Sequence, residues 1–405
     1  MSLNLRSDFP IIQNNPELIY FDSAATTLKP QPVIDAVLHY YTQETANIHR
    51  GDYDASFHVS RLYDLTRETV AKLLNAKRKE EIVFTSGATA SFNMAAQGLK
   101  KYVKPGDVIL TTQLEHASSI LPWFKVAEEK GAIIKYIPLD AQGNIDLAAF
   151  ENCFAKNKVR FVVCTMLSNV LGCLLPIRQI CAIAHKYQSL CIIDAAQAVP
   201  HLKVDVQQLD ADFLAFSAHK LMGPSGVGVL YGKYSCLEKL EPYFYGGGAN
   251  ARFNACGQLI LKDIPECFEA GTPPIEGVLG LKAACEYLLH IGMDEVIKKE
   301  QELRDYLFAG LKELTNIELI NPHSDLALAS FNVKGIFAQD VGSYLNAHRI
   351  AVRTGNHCAK ILVDITGVSE SVRASLYIYN TFEEIDRFLA VLKDISLEKC
   401  LEVLL

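Results

Sequence analysis

Between Glu81 and Gly232 the sequence repeats one pattern, a short apolar run followed by a stretch of helical periodicity. The runs are Ile82–Thr85, Val108–Thr111, Ile133–Pro138, Val159–Leu167, Cys191–Asp194, Phe213–Ser217 and Gly226–Tyr231. Several are apolar at every position rather than at alternate ones, which is the mark of strands covered on both faces. Between them lie helical faces such as Phe92, Ala95, Ala96 and Leu99. Alternating strands and helices predict an α/β unit with a mostly parallel sheet covered on both sides. In such sheets polar chemistry gathers at the carboxyl ends of the strands.

The rest of the chain reads differently. Gly246–Gly248 and Gly271-Thr272-Pro273-Pro274 mark loops, and a long helical pattern runs from Gly277 to Leu314 with a break near Gly292. The last hundred residues mix short strands (Leu328–Val333, Val372–Tyr377) with helices (Asp340–Ala347, Phe382–Leu392), an α+β arrangement. At 405 residues the chain is long enough for two domains. The expected division is a large α/β domain over 16–285 and a smaller α+β domain over 286–405, with 1–15 packed on the smaller one.

Lysine and arginine number 39 against 46 acids, a net charge of −7. That balance argues against nucleic acid or an anionic membrane as partner. The most apolar stretch, Phe161 to Ile177, is broken by Ser168, Asn169, Gly172 and Pro176, so no membrane span is expected. The eleven cysteines are scattered, and none forms a C-x-x-C pair. This gives no metal-binding spacing and suits a reducing, cytoplasmic setting.

Three strand ends carry polar groups. Phe84-Thr85-Ser86-Gly87-Ala88-Thr89 is a strand, a glycine turn and a helix start, whose N–H groups with the Thr89 hydroxyl suit a phosphate. Cys191-Ile192-Ile193-Asp194-Ala195-Ala196-Gln197 ends a buried strand on an acid, which needs a partner. Phe216-Ser217-Ala218-His219-Lys220 ends another on a lysine, and an apolar setting makes such an amine a nucleophile toward carbonyls. Each has a bland reading: a capped turn, a structural acid, a snorkelling lysine. Together they are the handles that hold pyridoxal 5'-phosphate, with the lysine as Schiff-base partner and the acid keeping the ring nitrogen protonated.

With these motifs in place, the sequence resembles the fold-type I pyridoxal phosphate enzymes of the class V aminotransferase group, specifically the cysteine desulfurases. The resemblance runs from Tyr20-Phe21-Asp22-Ser23-Ala24-Ala25 to Arg373-Ala374-Ser375. It includes Leu114-Glu115-His116, Ser168-Asn169-Val170-Leu171-Gly172, Asp194 to Gln197, and Ser217-Ala218-His219-Lys220-Leu221. Arg353-Thr354-Gly355-Asn356-His357-Cys358-Ala359 resembles the group II branch, the SufS-like and CsdA-like enzymes related to selenocysteine lyases.

The resemblance implies a large domain with a mostly parallel seven-stranded sheet. It makes Lys220 the Schiff-base lysine, Asp194 the ring-nitrogen partner, and Gln197 a neighbour of the phenolic oxygen. His116 would stack on the ring and move protons. Thr89, Ser217 and His219 would bind the phosphate, and Thr272 would reach the phosphate of a neighbouring subunit in a homodimer. Arg373 would clamp the substrate carboxylate with help from Asn169, while His49, Arg50 and Arg353 would line the pocket entrance. Ala88, Ala90 and Asn356 depart from the family pattern, and Ala88 removes one hydroxyl from the phosphate site.

Cys358 sets the expected reaction. It stands in a glycine-bearing loop near Arg353, His357 and Lys360. Positive neighbours favour a thiolate and a loop lets it approach the substrate. The other ten cysteines read as packing or surface thiols. The expectation is conversion of L-cysteine to L-alanine with a persulfide on Cys358. The sulfur would then pass to a SufE-like or SufU-like acceptor for iron–sulfur cluster assembly. Selenocysteine lyase (acting on L-selenocysteine) and a class V aminotransferase are alternatives on the same scaffold. A non-catalytic scaffold is the alternative of a different class.

Overall fold

The computed structural model describes residues 5–49, 51–140 and 142–404. Seven strands form the central sheet: β1 (Ile82–Thr85), β2 (Val108–Thr111), β3 (Ile133–Tyr136), β4 (Val159–Thr165), β5 (Leu190–Asp194), β6 (Phe213–Ser217) and β7 (Gly228–Gly232). Their spatial order is β1-β7-β6-β5-β4-β2-β3. Only β7 runs against its neighbours. Thr85, Thr165, Asp194 and Ser217 therefore end their strands on one edge, where the register pairs Thr165 with Asp194 and Ser217 with Gly228.

Successive residues of a strand point to opposite faces, so one strand feeds two cores. Val162, Cys164 and Ile193 enter one apolar layer, while Phe161, Val163 and Ile192 enter the other. Edge strand β3 departs from the expected double burial, because only one neighbour covers it and most of its residues are exposed. It stops at Tyr136, short of Pro138, whose missing N–H cannot continue a ladder. Edge strand β1 is protected otherwise. Buried Arg67 donates to the Ile82 carbonyl (2.6 Å), and Glu269 accepts from the Phe84 N–H (2.7 Å) while pairing with Arg67 (2.8 Å).

The long helical pattern breaks at Gly292, giving helices Ile275–Ile291 and Met293–Lys312. A four-stranded antiparallel sheet follows, in spatial order Ile317–Leu319, Leu328–Val333, Ser371–Ser375, Arg353–Gly355. The strand expected over Val372–Tyr377 runs instead over Ser371–Ser375, starting one residue and ending two residues earlier, since Tyr377 begins a turn closed by the Asn380 N–H. Phe331, Val341, Phe388 and Leu392 form the core of this part. Ile19–Tyr20 joins it, pairing in parallel with Ile350–Ala351, and Phe21 packs edge-on against Phe388. A segment that precedes the large sheet in sequence thus lies in the second core. Among the described residues no helix is long and apolar enough to cross a membrane.

Candidate active site

The strand ends of the large sheet and the second sheet enclose a cavity of about 270 Å³. It is lined by eleven of the residues singled out above: Thr89, His116, Asn169, Asp194, Gln197, Ser217, His219, Lys220, Arg353, Cys358 and Arg373.

Its floor follows from the strand-turn-helix units. After β1 the chain turns at Gly87 into the helix Ala88–Leu99. The turn lies so close to β7 that a Cβ on Gly228 would stand 2.4 Å from the Gly87 Cα, so Gly228 cannot be replaced without moving it. Ser217 Oγ accepts from the Ala88 N–H (2.8 Å), and the Thr89 hydroxyl donates to Ser118 Oγ (2.8 Å). These hydroxyls meet at a helix start, where N–H groups attract anions.

Asp194 is buried at the end of β5 and accepts from the Ala196 N–H (2.9 Å). Burial pushes its carboxyl up, partly offset by that N–H and by Lys220. Lys220 closes a short turn after β6 that is pinned from below. The His219 carbonyl accepts from Thr27 N, Thr26 Oγ1, Thr27 Oγ1 and Lys29 Nζ. Burial lowers the Lys220 amine to about 8, with Asp194 opposing the shift and Arg373 and Arg353 adding to it. Such an amine is readily available as the free base. Gln197 donates to the Ala24 carbonyl (2.8 Å), and its buried Oε1 has no partner among the described residues.

His116 caps the helix Ala117–Lys130, its Nδ1 accepting from the Ser118 N–H (3.2 Å). The neutral ring therefore carries its proton on Nε2. Burial, then the charges of Lys220, Arg353 and Arg373, lowers its pKa to about 4, so it is neutral at pH 7. His219 is likewise lowered to about 4 by burial and Lys220.

The roof comes from the second sheet. Arg373, 2% exposed, donates to the Asn169 carbonyl (3.0 Å) and to Asp22 Oδ1 (3.2 Å), and its Nε has no partner among the described residues. Asn169 in turn donates to the His357 carbonyl (3.0 Å). Cys358 is exposed, with Arg353 Nη2 3.9 Å from its sulfur. Its carbonyl accepts from the Ala117 N–H (2.9 Å), which ties the loop to the helix that His116 caps. His357 and Cys358 both have positive φ, 51° and 59°, a left-handed conformation uncommon outside glycine.

Thr272 and His49 are not brought to the cavity within one chain. Thr272 is exposed beside Asn47 (3.5 Å), and His49 lines a separate hollow with Tyr63, Arg67 and Glu269. Arg50 lies outside the described residues. Conversely, His357, Ser118, Ala24 and Ala25 line the cavity without having been singled out as site residues. His357 is buried, bonded to Ser371 Oγ (2.9 Å), and held to about 3 by burial and two arginines. Asp22 falls inside a recognisable motif, but nothing in the sequence pairs it with Arg373. Away from the cavity, donor atoms of His185, Cys191 and Asp212 lie within 4.8 Å of one another. His185 there bridges Asp210 and Asp212 as an ion pair, beside Lys233.

Residues 19–388 match the aminotransferase class-V family. A probable cysteine desulfurase of Synechocystis is 40% identical, over 97% of this chain and 95% of its own length. A cysteine desulfurase of Pectobacterium carotovorum is 38% identical over 96% and 97%. The apo cysteine desulfurase of Thermococcus onnurineus superposes with a TM-score of 0.92 at 37% identity, covering 97% of this chain and 99% of its own. Escherichia coli CsdA does so with 0.90 at 34%, covering 98% of each. The chain belongs to the class-V aminotransferase family and groups within it with the cysteine desulfurases.

Proposed function

We propose that this chain is a pyridoxal phosphate-dependent cysteine desulfurase. The observation that carries the reading is the meeting of Asp194, Lys220, Arg373 and Cys358 around one cavity. The residues fit the cofactor. A buried acid sits with a lysine of lowered pKa, Gln197 Oε1 is buried without a partner among the described residues, and hydroxyls and a helix start converge at Thr89 and Ser217. A related lyase, 25% identical with a TM-score of 0.83, has a glycine linked to its PLP cofactor.

When bound, pyridoxal phosphate supplies the electron sink that allows the Cα–H and Cβ–S bonds of cysteine to break. Lys220 would hold the cofactor, and its amine, of lowered pKa, would take the Cα proton as a free base. Asp194 would pair with the ring nitrogen and keep it protonated, and His116, neutral with its proton on Nε2, would relay protons beside the ring. Arg373 holds the substrate carboxylate, with Asn169 beside it, and Arg353 lies at the mouth. The thiolate of Cys358 attacks the substrate sulfur. The new S–S bond forms as the Cβ–S bond breaks, the electron pair stays on carbon, and protonation there yields L-alanine. The persulfide on exposed Cys358 is then open to a SufE-like or SufU-like acceptor serving iron–sulfur assembly in the cytoplasm.

A homodimer accounts for His49 and Thr272, which one chain leaves exposed away from its own cavity, as donors to a second copy. On this reading the cofactor domain covers 16–285 apart from Ile19–Phe21, which lie in the second core, and 286–405 make the domain that carries Cys358. The test is purified protein given L-cysteine. Alanine should form and Cys358 should gain one sulfur by mass, whereas Cys358→Ala should make neither persulfide nor alanine. Undiminished alanine from Cys358→Ala would refute the mechanism. Turnover confined to selenocysteine would reassign the substrate.

A further inference from the structure

Glu115 precedes His116 in sequence, yet its side chain is not among those lining the cavity and is buried in the adjoining core. Its Oε1 accepts from Thr112 Oγ1 (2.7 Å) and from the Thr165 N–H (2.9 Å). Its Oε2 stands 3.0 Å from Ser119 Oγ, which is itself 2.9 Å from the His116 carbonyl oxygen. A serine hydroxyl has one proton. If it donates to the His116 carbonyl, the contact with Oε2 is a hydrogen bond only when Glu115 brings a proton of its own.

The His116 carbonyl also accepts from the Ser119 N–H (3.0 Å), so the serine proton alone does not set the state of Glu115, and its surroundings do. The ionisable groups against Glu115 are the Asp194 carboxyl from β5 and the Cys164 thiol from β4, neither of which supplies positive charge. A buried carboxylate beside another acid is unfavourable and keeps its proton instead.

We infer that Glu115 is held as a neutral carboxylic acid whose proton bridges to Ser119. In this state it is a positioning residue that locks the helix start carrying His116 to the strand end pairing Thr165 with Asp194. One side chain thereby fixes the residue above the ring against the residue that serves the ring nitrogen. It also leaves Asp194 without a second anion beside it. Burial, reinforced by Asp194, pushes Glu115 up to about 8, so ionisation falls at mildly alkaline pH. The folded state then binds more protons than the unfolded one between the ordinary glutamate range and pH 8. Glu115 therefore makes stability fall as pH rises through that window.

The inference rests on the desulfurase reading for the parts assigned to His116 and Asp194, but its main test involves no turnover. Infrared difference spectra of holoenzyme at pH 7 should show a protonated carboxyl C=O stretch in the wild type that is missing in Glu115→Gln. The same band should fade in the wild type as pH is raised through 8. Glutamine offers a carbonyl to Thr112 and Thr165 and an N–H to Ser119, so Glu115→Gln should keep turnover at pH 7. Its stability should also lose the part of the decline between the ordinary glutamate range and pH 8 that Glu115 causes. Glu115→Ala should lower kcat about 10²-fold through misplacement of His116. Loss of a carboxylate band in place of a protonated one in Glu115→Gln would overturn the inference. So would a folded Glu115→Gln as impaired as Glu115→Ala. Absence of desulfurase activity in the wild type would sink the functional reading and leave the infrared result standing.

Discussion

The two sides of the cavity are built in opposite ways. Asp194 and Lys220 stand at the ends of strands in the middle of a seven-stranded sheet, and the turn carrying Lys220 is pinned by Thr26, Thr27 and Lys29. Cys358 stands on an exposed loop with two successive left-handed residues, held chiefly through backbone carbonyls to Asn169 and Ala117. A group that must hold a cofactor in one geometry gains from rigid elements. On the proposed reading, a sulfur that must reach the substrate and then pass on its cargo gains from a tethered loop. Domain of origin does not decide which style applies. Arg373 comes from the same small sheet as the loop, yet it is almost fully buried between Asp22 and Asn169.

The largest effects should separate the rigid floor from the loop. Lys220→Ala and Cys358→Ala should each lower turnover with L-cysteine by several orders of magnitude. Their absorbance should differ, since Lys220→Ala loses the visible band of lysine-bound cofactor and Cys358→Ala keeps it. Loss of that band in Cys358→Ala would mean that the loop helps to hold the cofactor, and the contrast would fail.

Arg373→Lys tests whether Arg373 belongs with the floor. Lysine cannot span Asn169, Asp22 and a substrate carboxylate as a planar fork does. With about 1.5–3 kcal/mol at stake in a hydrogen bond to a charged group, kcat/KM should fall about 10- to 100-fold. The loss should appear chiefly in KM. A fall in kcat alone would place Arg373 with the moving parts.

The smallest effect is a slope. In apoenzyme the Lys220 amine is depressed to about 8, below its ordinary value. Between pH 8 and the ordinary lysine range the unfolded chain binds more protons than the folded one, so this residue makes stability rise with pH across that window. Urea unfolding of apo Lys220→Met should be flatter there than wild type, and more stable at pH 7, where the buried charge is gone. An unchanged slope would show Lys220 to be freely solvated and the floor less dry than its burial indicates.

Much of this was legible beforehand because local patterns carry local structure. Uninterrupted apolar runs mark buried strands, and Asp194, Ser217 and Lys220 fall at or just beyond strand ends by counting alone. Even the break at Gly292 follows from one glycine with positive φ between two helices. The exposed edge strand was not legible, because Ile133 and Ile134 look the same in sequence whether one neighbour or two cover them. Neither was the place of Ile19–Phe21 in the second core, which depends on a partner more than 300 residues away.

Composition and periodicity settled the α/β class, the strand ends and, through their motifs, the cofactor-type residues, since each depends on neighbours a few positions apart. Tertiary packing alone decided that Asp22 meets Arg373 and that the Cys358 carbonyl meets the helix start after His116. It likewise decided that His49 and Thr272 face away from their own cavity. The physical reason is range. Side-chain periodicity acts over a turn or a pleat, whereas a site built from two cores takes its geometry from how those cores close on each other.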